Sequence, residues 1–106
     1  MDRIERLREF LVSNPDDSFI KHALALEYIK LQDDQTAKNL FLEVLNNDEN
    51  YVGSYYHLAK LLERNEEREA ALEVYEKGML KAKEVGDHHA YNELRSAYEE
   101  FIDEST

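Results

Sequence analysis

Apolar residues recur along this chain at the three- and four-residue spacing of a helix face. In the stretch GSYYHLAKLL, Tyr55, Leu58, Ala59 and Leu62 fall at i, i+3, i+4 and i+7, so they share one stripe of a helix, and Tyr56, His57 and Lys60 fall outside it. One proline, three glycines and few β-branched residues predict helix almost throughout. Polar clusters interrupt the pattern at Asn14-Pro15-Asp16-Asp17, Gln32-Asp33-Asp34, Asn46-Asn47-Asp48-Glu49-Asn50, Arg64-Asn65-Glu66 and Val85-Gly86-Asp87. Each holds a plausible N-cap or C-terminal stop. Six helices are therefore expected, over 2–13, 16–31, 34–46, 51–64, 67–85 and 88–103.

The pattern also repeats. Leu24-Ala25 matches Leu58-Ala59 at an offset of 58 − 24 = 34, and Ala37 with Ala71, Phe41 with Tyr75 and Leu11 with Leu45 keep that offset. A fixed period of this kind predicts stacked copies of one unit, because a single helical hairpin cannot bury its own apolar face.

A 34-residue unit of two helices resembles the tetratricopeptide repeat. That family carries a bulky residue, Leu, a small residue and Tyr on its first helix, then Ala, an aromatic and a small residue on its second, with Pro at the exit. The second hairpin supplies Tyr55, Leu58, Ala59, Leu62, Ala71, Tyr75 and Gly78, with Leu62 in place of the tyrosine. The first supplies Leu24, Ala25, Tyr28, Ala37 and Phe41, with Lys21 at the bulky place and Val44 at the small one. Leu7, Leu11 and Pro15 form the second half of a repeat, and Tyr91, Leu94 and Tyr98 the first half of another, displaced by two residues since 91 − 55 = 36. The resemblance implies one all-α domain over 1–106: a half repeat (1–15), two repeats (16–49 and 50–86) and a capping helix (87–106), stacked as a short right-handed superhelix. Half repeats at both ends are what a finished unit is expected to show.

Charge changes the picture in two ways. The net charge of -11 argues against binding nucleic acid by phosphate neutralisation and against anionic membrane surfaces. It is also uneven: residues 54–83 hold six acids and six bases, whereas 84–106 hold seven acids and one base, as expected of a solubilising cap. No cysteine is present, which excludes disulfides and thiolate chemistry. No secretory signal or membrane span is legible, so a cytoplasmic protein is the expectation.

Candidate chemistry is thin. Asp87, His88, His89 and Glu93 could be taken for a metal site, but Asp87 is better explained as an N-cap, and adjacent histidines point to different helix faces. The five serines, Ser13, Ser18, Ser54, Ser96 and Ser105, belong to no nucleophile elbow. Neither an enzyme nor a cofactor is expected. The resemblance implies that Gly78 is a close-packing position rather than a hinge.

The resemblance implies instead that residues between the core positions of each first helix line a concave, partner-binding face. In this sequence the strongest of these are His22, Leu26 and Lys30, then Tyr56, His57, Lys60 and Arg64, then Asn92, with Phe19, Ile29, Glu63, His89, Glu93, Ser96 and Glu99 beside them. Donors beside apolar surface suit an extended peptide or protein ligand with acidic and apolar side chains. The histidines predict that such binding strengthens as pH falls from about 7.5 to 6. The family's chaperone-tail clamp needs Lys and Asn where this chain has His22, Leu26 and Glu93, a departure that counts against that ligand. A non-catalytic adaptor, monomeric or weakly homodimeric, is thus expected. The alternative is a self-assembling scaffold unit pairing through Ile4, Leu7 and Phe10 of the first helix or Phe101 and Ile102 of the last.

Overall fold

A computed structural model describes residues 2–104; Met1, Ser105 and Thr106 lie outside the described residues, and with them the end of the capping helix expected over 87–106. Six helices follow one another with no strand among the described residues: α1 (Arg3–Ser13), α2 (Ser18–Lys30), α3 (Asp34–Asn47), α4 (Gly53–Arg64), α5 (Arg68–Val85) and α6 (His88–Glu104). They form two compact units, residues up to Tyr51 and residues from Val52. In the first, α2 packs against both α1 and α3; in the second, α4, α5 and α6 all pack on one another.

Aspartates start four of the six helices. The carboxylates of Asp2, Asp17, Asp33 and Asp87 accept from the backbone N–H of Glu5 (2.9 Å), Ile20 (3.0 Å), Thr36 (3.2 Å) and Ala90 (3.0 Å), satisfying donors that a helix start leaves open. Two helix starts move by two residues from the expected ones, the first because of its cap. Residues 14–16 form a turn, so α2 starts at Ser18 behind its Asp17 cap, and α4 starts at Gly53, leaving Tyr51 outside the helix.

The ends of α2, α4 and α5 share one device. At Gln32, the N–H of Asp33 donates to the Tyr28 carbonyl and that of Gln32 to Ile29, both at 2.9 Å. At Glu66, Glu67 donates to Leu62 at 2.9 Å and Glu66 to Glu63 at 3.0 Å. At Gly86, Asp87 donates to Ala82 at 2.9 Å and Gly86 to Lys83 at 3.2 Å. All three central residues are left-handed, with φ of 63°, 61° and 76°, the conformation that turns the chain back on the preceding helix. Since 66 − 32 = 34, this turn repeats with the same period as the apolar residues.

That period marks the core. Leu24, Ala25, Ala37 and Phe41 in the first unit, and Leu58, Ala59, Ala71 and Tyr75 in the second, are each at most 1% exposed. Lys21 is 7% exposed at the place equivalent to Tyr55; its methylene stem does the packing of the missing bulky residue. No buried side-chain polar atom lacks a partner among the described residues. Gly78 is a packing residue, as expected: a Cβ there would stand 2.7 Å from Tyr55 Cβ and 3.0 Å from Leu94 Cδ1. Its missing side chain lets α5 lie directly against α4 and α6.

Candidate functional site

In the second unit, α4 turns Tyr55, Leu58, Ala59 and Leu62 into the core, which leaves Tyr56, His57, Lys60, Glu63 and Arg64 on its other faces. The Tyr56 and His57 rings meet edge to face, 5.5 Å apart and 89° inclined. His57 is half-buried, and burial pushes its imidazole below its ordinary value, opposed by the Glu93 carboxylate of α6. Desolvation disfavours the imidazolium, so His57 takes up its proton at a lower pH than an ordinary histidine would.

One turn further on, a depression of about 290 Å³ opens between α4 and α6, lined by Lys60, Glu63, Arg64, Phe101 and Glu104. Glu63 is engaged from within the unit. The Tyr75 hydroxyl donates to it, Lys60 Nζ stands 3.6 Å from it, and its side chain is 15% exposed. Burial and this carboxylate together push the Tyr75 phenol far above its ordinary value of 10.0. Phe101 packs its ring 6.2 Å from that of Tyr75, with the Arg68 guanidinium 5.2 Å from its centroid. Phe101, expected as a self-association residue, is thus held by its own unit. Asn92 lies exposed on α6.

In the first unit, His22 stands between two aromatic rings, 5.7 Å from Phe41 and 5.4 Å from Tyr51. The Tyr51 contact was hidden from sequence reasoning because Tyr51 reads as a helical residue there. Burial, then Asp17 and Asp48, push the Tyr51 phenol above its ordinary value. Leu26 is half-buried, and Lys30 is exposed with its ammonium 2.9 Å from Glu27. Glu27 also takes Arg3 at 3.5 Å, while Arg8 of α1 donates to the Tyr28 hydroxyl at 2.5 and 3.1 Å. Of the sequence-derived set, the structure thus brings Lys60 and Arg64 to one depression, with Phe101 as an apolar wall that the set did not contain. Asp87 caps α6, and no group of three or more metal-ligating side chains gathers among the described residues.

A tetratricopeptide repeat domain protein from Salinibacter ruber has a crystal structure similar to this one, with a TM-score of 0.79 and 37% identity over 82% of this chain and 97% of that one. The chain belongs to the tetratricopeptide repeat (TPR) family. A solution NMR structure of a TPR domain protein from the same organism agrees, with a TM-score of 0.78 and 38% identity over 82% of this chain and 88% of that one. The fold is also that of the TPR2B domain of yeast Sti1, solved in complex with pHsp70, with a TM-score of 0.87 and 21% identity over 95% of this chain and 81% of that one. No protein-family model and no curated protein sequence matches the chain. No helix of the described residues is long and apolar enough to cross a membrane.

Proposed function

We propose that this TPR protein is a non-catalytic adaptor of the cytoplasm that binds an extended peptide or partner protein bearing carboxylate and apolar side chains, along α4 and α6 of its second unit. The observation that carries this reading is the depression in which Lys60 and Arg64 stand beside the Phe101 ring. A guanidinium offers a two-pronged donor to a carboxylate and an ammonium a point charge, and such charge-assisted bonds orient the ligand. Phe101 and the half-buried Tyr56 supply apolar area, which contributes most of the affinity. Glu63 does not compete as a free anion, because Tyr75 and Lys60 hold it. The yeast Sti1 domain in its pHsp70 complex supports the reading to the extent that a helical stack of this fold takes a protein ligand. In the first unit, Leu26 and Lys30 offer a further contact, whereas His22 serves the packing of its own unit.

The test is fluorescence anisotropy with labelled peptides of alternating Glu and Leu, of Glu with Ser, and of Lys with Leu. The first binds, the second binds more weakly, and the third does not. A Tyr56→Ala, Lys60→Glu double variant loses at least tenfold, a step of about 1.4 kcal/mol. Equal binding by wild type and variant would mean that the depression is not the site. Self-association is favoured by a separate observation, Phe10 and Val12 of α1 being 60% and 83% exposed. Sedimentation over a range of concentrations decides it, since a mass that stays monomeric removes that reading.

A further inference from the structure

Resting on the binding reading above, we propose that Tyr75, which does not itself line the α4–α6 depression, is a positioning residue for it: its hydroxyl holds the Glu63 carboxylate back from Lys60, so that the ammonium keeps its donors for a ligand carboxylate. The two oxygens of Glu63 have different partners. Oε2 accepts from the Tyr75 hydroxyl, and Oε1 faces Lys60 Nζ at 3.6 Å, an ion-pair distance well outside the about 2.7–2.9 Å of a charge-assisted hydrogen bond. Tyr75 is fully buried, and the Glu63 side chain nearly so, whereas that of Lys60 is 41% exposed. Two members of the set are therefore fixed from inside the unit, and the third reaches solvent.

The repeat supplies an internal comparison. At the same offset of 34, Lys60, Glu63 and Tyr75 correspond to Leu26, Ile29 and Phe41. In the first unit, α2 packs on α3 with no hydroxyl and no carboxylate at these places, so a hairpin of this fold needs neither. Burying a polar pair costs desolvation that an apolar pair avoids, and departures of this kind from the local packing rule belong to functional sites. Here the departure stands where the depression opens. The Tyr75 ring also lies 6.2 Å from that of Phe101, so one buried side chain supports the polar wall through its hydroxyl and the aromatic wall through its ring. Without the hydroxyl, Glu63 loses one of its two partners and closes on the other, Lys60. A ligand carboxylate then competes with an internal one.

The probes are the labelled Glu-Leu peptide and a Gln-Leu peptide of the same length, read by anisotropy with the full chain at a temperature at which circular dichroism shows every variant folded. Tyr75→Phe binds the Glu-Leu peptide about threefold to fivefold more weakly than wild type, the range of a partly exposed ion pair, and binds the Gln-Leu peptide as wild type does. In a Glu63→Gln background, the same substitution changes neither affinity. Glu63→Ile with Tyr75→Phe, the pair that the first unit carries at these places, recovers the wild-type affinity for the Glu-Leu peptide. If Tyr75→Phe weakens both peptides alike, leaves both at their wild-type affinities, or keeps its effect once the Glu63 carboxylate is gone, or if the Ile and Phe pair recovers nothing, Tyr75 only packs and the positioning role is wrong, while the binding site stands as long as Lys60 matters. If wild type does not bind the Glu-Leu peptide, the binding reading itself fails, and the role of Tyr75 with it.

Discussion

Replacing Gly78 by alanine tests how closely the second unit is packed. On an exposed helix the change would stabilise by about 1 kcal/mol, because alanine has the higher propensity and costs less backbone entropy. Here the new methyl would stand 2.7 Å from Tyr55 Cβ, 2.9 Å from Tyr55 Cγ and 3.0 Å from Leu94 Cδ1. A tyrosine Cβ is fixed to its own backbone, so relief requires α4 and α5 to separate rather than a rotamer to turn. Tyr55 is 2% exposed and Leu94 1%, so neither has room to retreat. Overpacking of a tight core costs about 1–3 kcal/mol, and contacts this short belong at or beyond the upper end of that range. Against the propensity gain the net is a loss of about 2 kcal/mol. At an unfolding entropy of about 2.1 cal/mol/K per residue, that lowers Tm by roughly 9 °C. Urea and thermal unfolding followed by circular dichroism at 222 nm measure it. A variant as stable as wild type, or more so, would refute the packing argument and return Gly78 to the role of a hinge. Because Gly78 seats α5 against both helices that line the depression, the same variant also weakens peptide binding.

Other outcomes follow from the helix ends and the buried hydroxyl. Gln32→Gly and Glu66→Gly each stabilise by about 1 kcal/mol in denaturant titrations, since a non-glycine residue is strained at φ of 63° and 61°. Asp17→Ala and Asp33→Ala each cost about 1 kcal/mol by the same assay, through lost caps. The Tyr75 phenol is raised above 10.0 in the folded state, so its contribution is complete below pH 10 and is lost as pH rises above that value. Tyr75→Phe therefore flattens the alkaline limb of the stability profile while lowering stability at neutral pH by about 1.5–3 kcal/mol, the worth of a hydrogen bond to a charged group. His57 runs the other way, being lowered from 6.5. Its contribution is present above pH 6.5 and lost as pH falls through its folded value, so peptide affinity gains less from it on acidification than an ordinary histidine would give.

The fold was legible because repetition amplifies weak signals. Leu24 and Leu58, or Ala37 and Ala71, say little singly, but their common offset identified residues that prove to be at most 1% exposed. The Asp33 and Asp87 caps were legible for a local reason, since a short acceptor side chain before an apolar run has one favourable use, whereas Asp17 was read as a helical residue of 16–31 and proves to be the cap. The stops at Gln32 and Glu66 were legible as polar clusters, but their left-handed conformation was not, because no glycine marks either place. The site was legible only in part. Lys60 and Arg64 follow from α4 by subtraction of its core stripe, but Phe101 reaches the same depression from α6, a pairing that no spacing along the chain encodes. His22 looked like a surface donor until Tyr51, outside the helix, closed on it.

The central claim is that the α4–α6 side of the second unit holds a peptide with acidic and apolar side chains, and the most direct measurement is a titration of isotope-labelled protein with the Glu-Leu peptide, followed by two-dimensional amide NMR. The account predicts saturable shifts at Tyr56, Lys60, Arg64 and the 101–104 amides, with Leu72 and Glu76 on α5 unmoved. Shifts confined to other helices, or none at saturating peptide, would contradict it.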